Sequence, residues 1–364
     1  MRFLFVYWKV HDGGSAQDIG NYIEAAKRVG HQAALYMPEE DKAGFGSSID
    51  LESADLVIFV LESNIYSYPG EGPKNYRARA GLMGMGQLNL ARLVSKVPRE
   101  RRVVLDCDGM YNDVIRVGGD YNHPDARASQ HRIELCDSIS DRICQPTFHP
   151  LRANVRSFFF HGYNPDWEVP FDFRAKEYGM VYVGNNWFRW RALERVLRAL
   201  EAIRGRVGRI GLVGRDWDAM PYWVQPPLLE DAYFTDPAYL EKLDVEFLGP
   251  VPVEQVICTM SKAVFNPVLV RPLFDHLGLV TCRTFETPAA NTIPLFAQHA
   301  AHVTEVYGEC ALELVLTENA SEKIADVLER PQYYAQIVAD IRRNLAEKHS
   351  YEARLQQLLE IMKS

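Results

Sequence analysis

Short apolar runs alternate with segments of helical periodicity along this chain, and that alternation constrains its fold more than any other feature. "RFLFVYW" leads into "GGSAQDIGNYIEAAKRVGH", where Ile19, Ile23, Ala26 and Val29 fall near helical spacing and Gly30 supplies a C-terminal stop. "QAALYM", "LVIFVLE" and "RRVVLDCD" read as further strands, with a helix predicted from about Met85 to Lys96 before the last of them. Strands that alternate with helices form a parallel sheet covered on both faces. The segment "DGMYNDVIRVGGDYNHPDARA" breaks the rhythm with Gly, Asn, Asp and Pro. It reads as a long loop at a strand's carboxyl end, where ligands bind in such folds.

A second series follows "FFFHGYNPDWEVPFD": "YGMVYVG", "RIGLVG", "VEFLG" and "TIPLFA" read as strands and "RWRALERVLRALEAI" as an amphipathic helix. The expected architecture is therefore α/β, with two doubly wound Rossmann-like domains facing across a cleft. The expected boundaries are an N-terminal domain over residues 1–164, a second over 165–346, and a closing helix over 347–364 that packs back toward the first. The Pro, Gly and Asn content of His161–Pro170 marks the linker, and Gly162–Pro170 the expected hinge.

Composition narrows the partners. The 364 residues, 47% of them hydrophobic, suffice for two cores. A net charge of −8 argues against a broad nucleic-acid or anionic-membrane surface, so any phosphate must be held locally. The six cysteines (107, 136, 144, 258, 282, 310) form neither CxxC pairs nor a dense framework, which fits reduced thiols in a cytoplasmic protein. "MRFLFVYW" is too short for a secretory core and no 18-residue apolar run follows, so membrane insertion is not expected.

Five pieces in the second half occur in an order that resembles the donor-binding half of GT-B glycosyltransferases, of the family 4 type and the CgeB-like, spore-maturation group in particular. They are "HGYNPDWEVP", "VYVGNNWFRWR", "RIGLVGRD", "VEFLGPVPVEQVICTMSKAVFNPV" and "RTFETPAANTIPLFA", followed by a tail "HSYEARLQQLLEIM". The resemblance covers Gly162 to the end; the first half shares only the β-α rhythm and an early glycine pair. It implies a metal-independent transferase that moves a sugar from a UDP-, GDP- or dTDP-activated donor to an acceptor glycan or small molecule, with retention of configuration. No cofactor is expected.

Particular residues carry the chemistry. A helix from about Arg283 to Asn291 would present free N–H groups and the positive end of its dipole to a phosphate. Arg283 adds a full charge, Thr284 a hydroxyl and Glu286, by the resemblance, an acceptor for ribose hydroxyls; capping by Thr284 is the plainer alternative. Pro288 is compatible with this helix only in its first turn. Gly184 permits close approach of a ligand at a strand end, Asn185 and Asn186 offer amide donors, and Arg189 or Arg191 would face a diphosphate unless Trp187, Phe188 and Trp190 merely pack. Arg215 ends another strand, and Phe247, Gly249 and Val251 would floor a nucleobase.

In the first half, His11, Gly13, Gly14 and Ser15 form the expected acceptor-binding loop, where a helix begins at the end of the first strand. Asp106, Asp108, Asp113 and His123 surround a later strand end; Asp108 and His123 are the candidates to orient or deprotonate an acceptor hydroxyl, with Arg283 stabilising the leaving diphosphate. The resemblance departs at one point. The E-x7-E pattern ending at Glu286 expects an acidic residue at Gly278, so that carboxylate is absent or displaced to Asp275. "HAAH" (His299, His302) lacks the surrounding ligands of a metal site. "RPQYYAQIVADIRRNLAEKH" reads as a packing face and a solvated face. The other functional classes are a catalytically silent GT-B-like binder of a sugar nucleotide or glycan and, without a G-x-G-x-x-G fingerprint, a nicotinamide oxidoreductase.

Overall fold

The structure, a computed structural model, describes residues 1–7, 14–37, 53–61, 90–112, 129–222 and 230–363. It divides into two units: Met1–Gly162 with His276–Val280 and Tyr351–Ser364, and Tyr163–Asp275 with Thr281–Ser350.

The first unit holds a parallel six-stranded sheet in the order β2-β1-β3-β4-β5-β6. Its strands are β1 (Arg2–Tyr7), β2 (Gln32–Tyr36), β3 (Leu56–Leu61), β4 (Arg102–Asp106), β5 (Ile143–Gln145) and β6 (Val155–Ser157). Every residue of β3 is buried, which a strand sandwiched between two helical layers requires. Helix α1 (Gly14–Arg28) starts beyond the carboxyl end of β1, and α2 (Ser129–Ile139) precedes β5. The final helix, Tyr351–Lys363, belongs to this unit and lies on α1. Burial of Tyr351, Leu355 and Leu358 holds it, each contributing about 1.5–3 kcal/mol. A buried polar knot adds direction: the Asp18 carboxylate takes the Tyr351 hydroxyl on one oxygen and His161 Nδ1, at 2.7 Å, on the other. Arg156 closes the helix C-terminus by donating to the Ile361 carbonyl at 2.9 Å.

His276–Val280 sits in the first unit although its flanks lie in the second. Thr147 Oγ1 donates to the Leu277 carbonyl and the Val280 N–H to the Pro146 carbonyl, both at 2.8 Å. Gly109, at φ +68°, turns beneath Leu277 and Leu279, whose methyls would lie 2.6 and 2.9 Å from any Cβ there. No feature of the sequence pointed to this excursion.

The second unit's sheet is also parallel, in the order β11-β10-β7-β8-β9. Its strands are β7 (Tyr178–Val183), β8 (Ile210–Val213), β9 (Val245–Phe247), β10 (Ala263–Val268) and β11 (Ile293–Phe296). Strand order reverses between β7 and β10, so the crevice beyond their carboxyl ends is the topological switch point at which ligands bind in open parallel sheets. The helices used below are α3 (Trp190–Glu201), α4 (Pro272–Leu277), α5 (Cys282–Ala289), α6 (Ala300–Tyr307) and α7 (Pro331–His349). Strand β10, "AVFNPV", is central, yet Asn266 and Pro267 hide it from a reading by pattern. The Asn266 amide nitrogen donates to the Met260 carbonyl and the Thr292 hydroxyl, each at 2.9 Å. Among the described residues no helix is long and apolar enough to cross a membrane.

Candidate functional site

Three strand ends of the second unit are knitted together by backbone and amide bonds. The Gly184 N–H donates to the Val213 carbonyl at 2.8 Å, and the Gly214 N–H to the Gly249 carbonyl at 2.9 Å. Gly214, at φ +136°, has no alternative, since a Cβ would lie 2.2 Å from the Gly184 oxygen. Asn185 Oδ1 accepts the Arg215 N–H at 2.9 Å, and the Asn186 amide donates to the Asp216 and Phe234 carbonyls, both at 3.0 Å. Asn186 is thus fully buried scaffolding and no donor to a ligand, whereas Asn185 and Arg215 are exposed. Gly249, at φ +65°, has open space where its side chain would be, and Phe247 is exposed beside it. Val251 packs with Val183 and Val213.

Helix α5 brings its first turn to the same edge. Arg283 Nε donates to the Val183 carbonyl at 3.0 Å, which fixes the guanidinium at the end of β7, on the switch point. Nη1 pairs with the buried Glu286 carboxylate one turn on. Burial opposes the charge on Arg283, but Glu286 and Cys282 outweigh it and hold the guanidinium above its ordinary pKa. The two residues assigned from sequence to diphosphate and ribose are therefore joined to each other. Thr284 is buried, and its hydroxyl accepts the Thr281 N–H at 3.1 Å, which is the plainer capping role.

The expectation about Pro288 is corrected. It lies near the end of α5 rather than in the first turn. A proline there leaves the carbonyl four residues back without its helical donor, and the Tyr307 hydroxyl of α6 supplies one to Thr284 O at 3.0 Å. Beyond it, Arg342 of α7 closes the helix, donating to Pro288 O at 2.7 Å, Ala289 O at 3.1 Å and Ala290 O at 2.9 Å. Arg342 is buried, four residues after Val338 on the packing face of that helix.

The other sequence candidates are spread wider. Arg189 opens α3 and turns back to the Trp187 carbonyl at 3.0 Å, while Trp187 and Trp190 pack edge-on against Tyr233 and Phe234. Packing accounts for these aromatics. In the first unit, Gly14 and Ser15 start α1. Asp106 is fully buried, its Oδ2 accepting the Tyr111 N–H at 2.7 Å and the Gln145 amide at 2.9 Å, while Asp108 on the following turn is half-buried. His11, Gly13, Asp113 and His123 lie outside the described residues. His299 is exposed with Nε2 3.6 Å from Asp275, and among the described residues no group of three His, Cys, Asp or Glu side chains is placed to hold a metal.

Comparison with known proteins agrees with this fold. Residues 189–360 match the family model described as glycosyl transferase-like. No curated protein matches. Among solved structures, T4 phage β-glucosyltransferase superposes with a TM-score of 0.59 at 12% identity over 100% of both chains. An α-glucosyltransferase bound to UDP gives 0.62 at 11% identity, and one bound to UDP and a mismatched 13-mer DNA gives 0.63 at 12%, each over 100% of this chain and 99% of that one. The fold is GT-B. At these identities the likeness speaks for the fold, and the glycosyl transferase-like match covers most of the second unit together with the final helix.

Proposed function

We propose that this chain transfers a sugar from a nucleotide-sugar donor to an acceptor hydroxyl, with the donor bound at the carboxyl edge of the second unit's sheet. The observation that carries this reading is the anchoring of Arg283 on the Val183 carbonyl, which holds a permanent cation at the switch point beside the Gly184, Gly214 and Gly249 turns. The similar β-glucosyltransferase and α-glucosyltransferases bound to UDP-glucose or UDP support that donor class.

In the proposed reaction the acceptor oxygen bonds to the anomeric carbon as the bond from that carbon to the diphosphate oxygen breaks. The electron pair leaves with the nucleoside diphosphate and the hydroxyl proton passes to a base. Arg283, and Arg189 by the resemblance, would stabilise the departing charge, so no divalent ion is invoked. Retention of configuration and CgeB-like kinship follow from the resemblance alone. The first unit would hold the acceptor through Gly14 and Ser15, with Asp108 orienting its hydroxyl. A cytoplasmic setting suits the six cysteines, all free thiols.

A second reading, a silent binder of sugar nucleotides, is favoured by Gly278, which stands at φ +58° where the family pattern expects a carboxylate. Release of nucleoside diphosphate from UDP-, GDP- and dTDP-glucose, with and without EDTA and with glycan or DNA acceptors, tests these readings. Turnover in EDTA supports the transferase, and binding without turnover supports the silent binder. Failure of every nucleotide sugar to bind would refute both. DNA is among the acceptors because one similar α-glucosyltransferase structure contains it, although the −8 charge argues for another acceptor.

A further inference from the structure

Two parts of the first unit meet at the excursion His276–Val280. One is the turn after β4, which carries Asp108. Asp106 braces it: Oδ2 accepts the Tyr111 N–H and the Gln145 amide, and Gln145 Nε2 also donates to the Tyr111 carbonyl at 3.2 Å. The Asn112 amide closes the turn on the Gly109 carbonyl at 2.8 Å. The other part is the exit of β5, where Pro146 and Thr147 follow directly on Gln145. The excursion engages both. Leu277 and Leu279 lie against Gly109, while the Leu277 carbonyl is held by Thr147 and the Val280 N–H by Pro146. Gln145, Thr147, Leu279 and Val280 are all buried, so turn, strand exit and excursion pack as one junction.

The excursion has little slack at either end. Helix α4 begins in the second unit and ends at Leu277, and α5 begins at Cys282, so only Gly278–Thr281 separate the two helices. Gly278 turns at φ +58°, Val280 is bonded to Pro146, and Thr281 caps α5 with its N–H on the Thr284 hydroxyl. Arg283 therefore follows closely on a backbone bond made inside the first unit, and Asp108 directly precedes the glycine against which the leucines lie. Burial of two leucines would by itself add stability and nothing more. Placed on so short a tie between two helices, they also pass on a change at α5, because packed elements switch between discrete arrangements and do not deform continuously.

We propose that Leu277 and Leu279 are positioning residues that couple the two sites: nucleotide held at Arg283 steadies α5 and, through Val280 and the leucines, the Asp108 turn. This rests on the reading above and adds a link between its donor and acceptor sides. The probe is UDP, and the readout is amide hydrogen exchange of the full-length chain with and without saturating UDP. In wild type, UDP should slow exchange over Phe285–Ala289 and, about fivefold or more, over Asp108–Asn112 as well, the lower end of an ordinary coupling between sites. In Leu279→Ala the slowing over Asp108–Asn112 should fall below about twofold, while Phe285–Ala289 keeps its protection. Thr147→Val, close to isosteric, releases the Leu277 carbonyl and should act in the same direction, which serves should Leu279→Ala fail to fold. A purely structural role would raise exchange in the variants equally with and without UDP and leave the ratio as in wild type. That unchanged ratio, or a wild-type turn indifferent to UDP while α5 is protected, would overturn this inference and leave the donor reading standing. A wild-type chain that does not bind UDP, or binds it without protecting α5, would overturn the donor reading, and this inference with it.

Discussion

Replacing Arg342 by methionine should loosen the helix that presents Arg283 and Glu286. The guanidinium touches four carbonyl oxygens, the fourth being Val169 O at 3.1 Å, and lies 4.1 Å over the Phe171 ring. Two of the four keep another donor without it: Ala289 O accepts the Val169 N–H and Ala290 O the Thr292 N–H. Pro288 O, buried, and Val169 O, part-buried, are left; a stranded buried acceptor costs about 1–3 kcal/mol, and the part-buried one less. Removing a buried charge returns part of that. Burial indeed lowers the Arg342 pKa, against the opposing pull of Tyr163 and Glu168. The net loss should be about 2–4 kcal/mol, or roughly 5–15 °C in Tm for a unit of this size. Arg342→Lys, which keeps the charge but not the planar fork, should lose about half as much. Urea unfolding followed by tryptophan fluorescence reports on the correct unit, because only Trp8 of the six tryptophans lies in the first. A methionine variant within about 0.5 kcal/mol of wild type would refute the capping role.

Three further outcomes follow from single atoms. Gly214→Ala should cost at least about 1–3 kcal/mol through backbone strain and weaken donor binding, while Gly205→Ala, on a short helix with open space around it, should be neutral or slightly stabilising; thermal melts compare them. Tyr307→Phe strands the Thr284 carbonyl and should cost about 1–3 kcal/mol with α5 frayed, read by amide hydrogen exchange at Thr287 and Ala289. Burial lowers the Lys176 amine to about 8, against the pull of Asp172. The unfolded chain then holds the extra proton above that value, so this group's contribution to stability should rise with pH from about 8 to about 10.4. Melts across that range should show the rise in wild type and not in Lys176→Met.

The parallel strands were legible because strands buried on both faces leave unbroken apolar runs, as in β1, β3 and β7. Strand β10 was not, since Asn266 and Pro267 break its apolar run, and the Thr292 hydroxyl that pairs the Asn266 amide nitrogen comes from 26 residues away. The same cause accounts for α5. Its Thr and Glu positions were visible, but a proline near its end is viable only because Tyr307 and Arg342 arrive from other helices. Arg283 and Glu286 stand three apart, a spacing that allows them to pair, yet nothing local distinguishes a pair from two ligand contacts. Strand order, which locates the switch point, is likewise a property of the assembled sheet.

The most direct test of the donor site is the UDP dissociation constant of wild type, Arg283→Met and Glu286→Gln, measured by calorimetry at one salt concentration. Arg283→Met removes a cation held on the Val183 carbonyl at the switch point and should weaken UDP by about 1.5–3 kcal/mol, roughly 10- to 150-fold. Glu286→Gln keeps the shape but loses the charge that anchors the guanidinium, and should fall between that variant and wild type. Clear wild-type binding that neither substitution alters would contradict the assignment of this edge as the donor site.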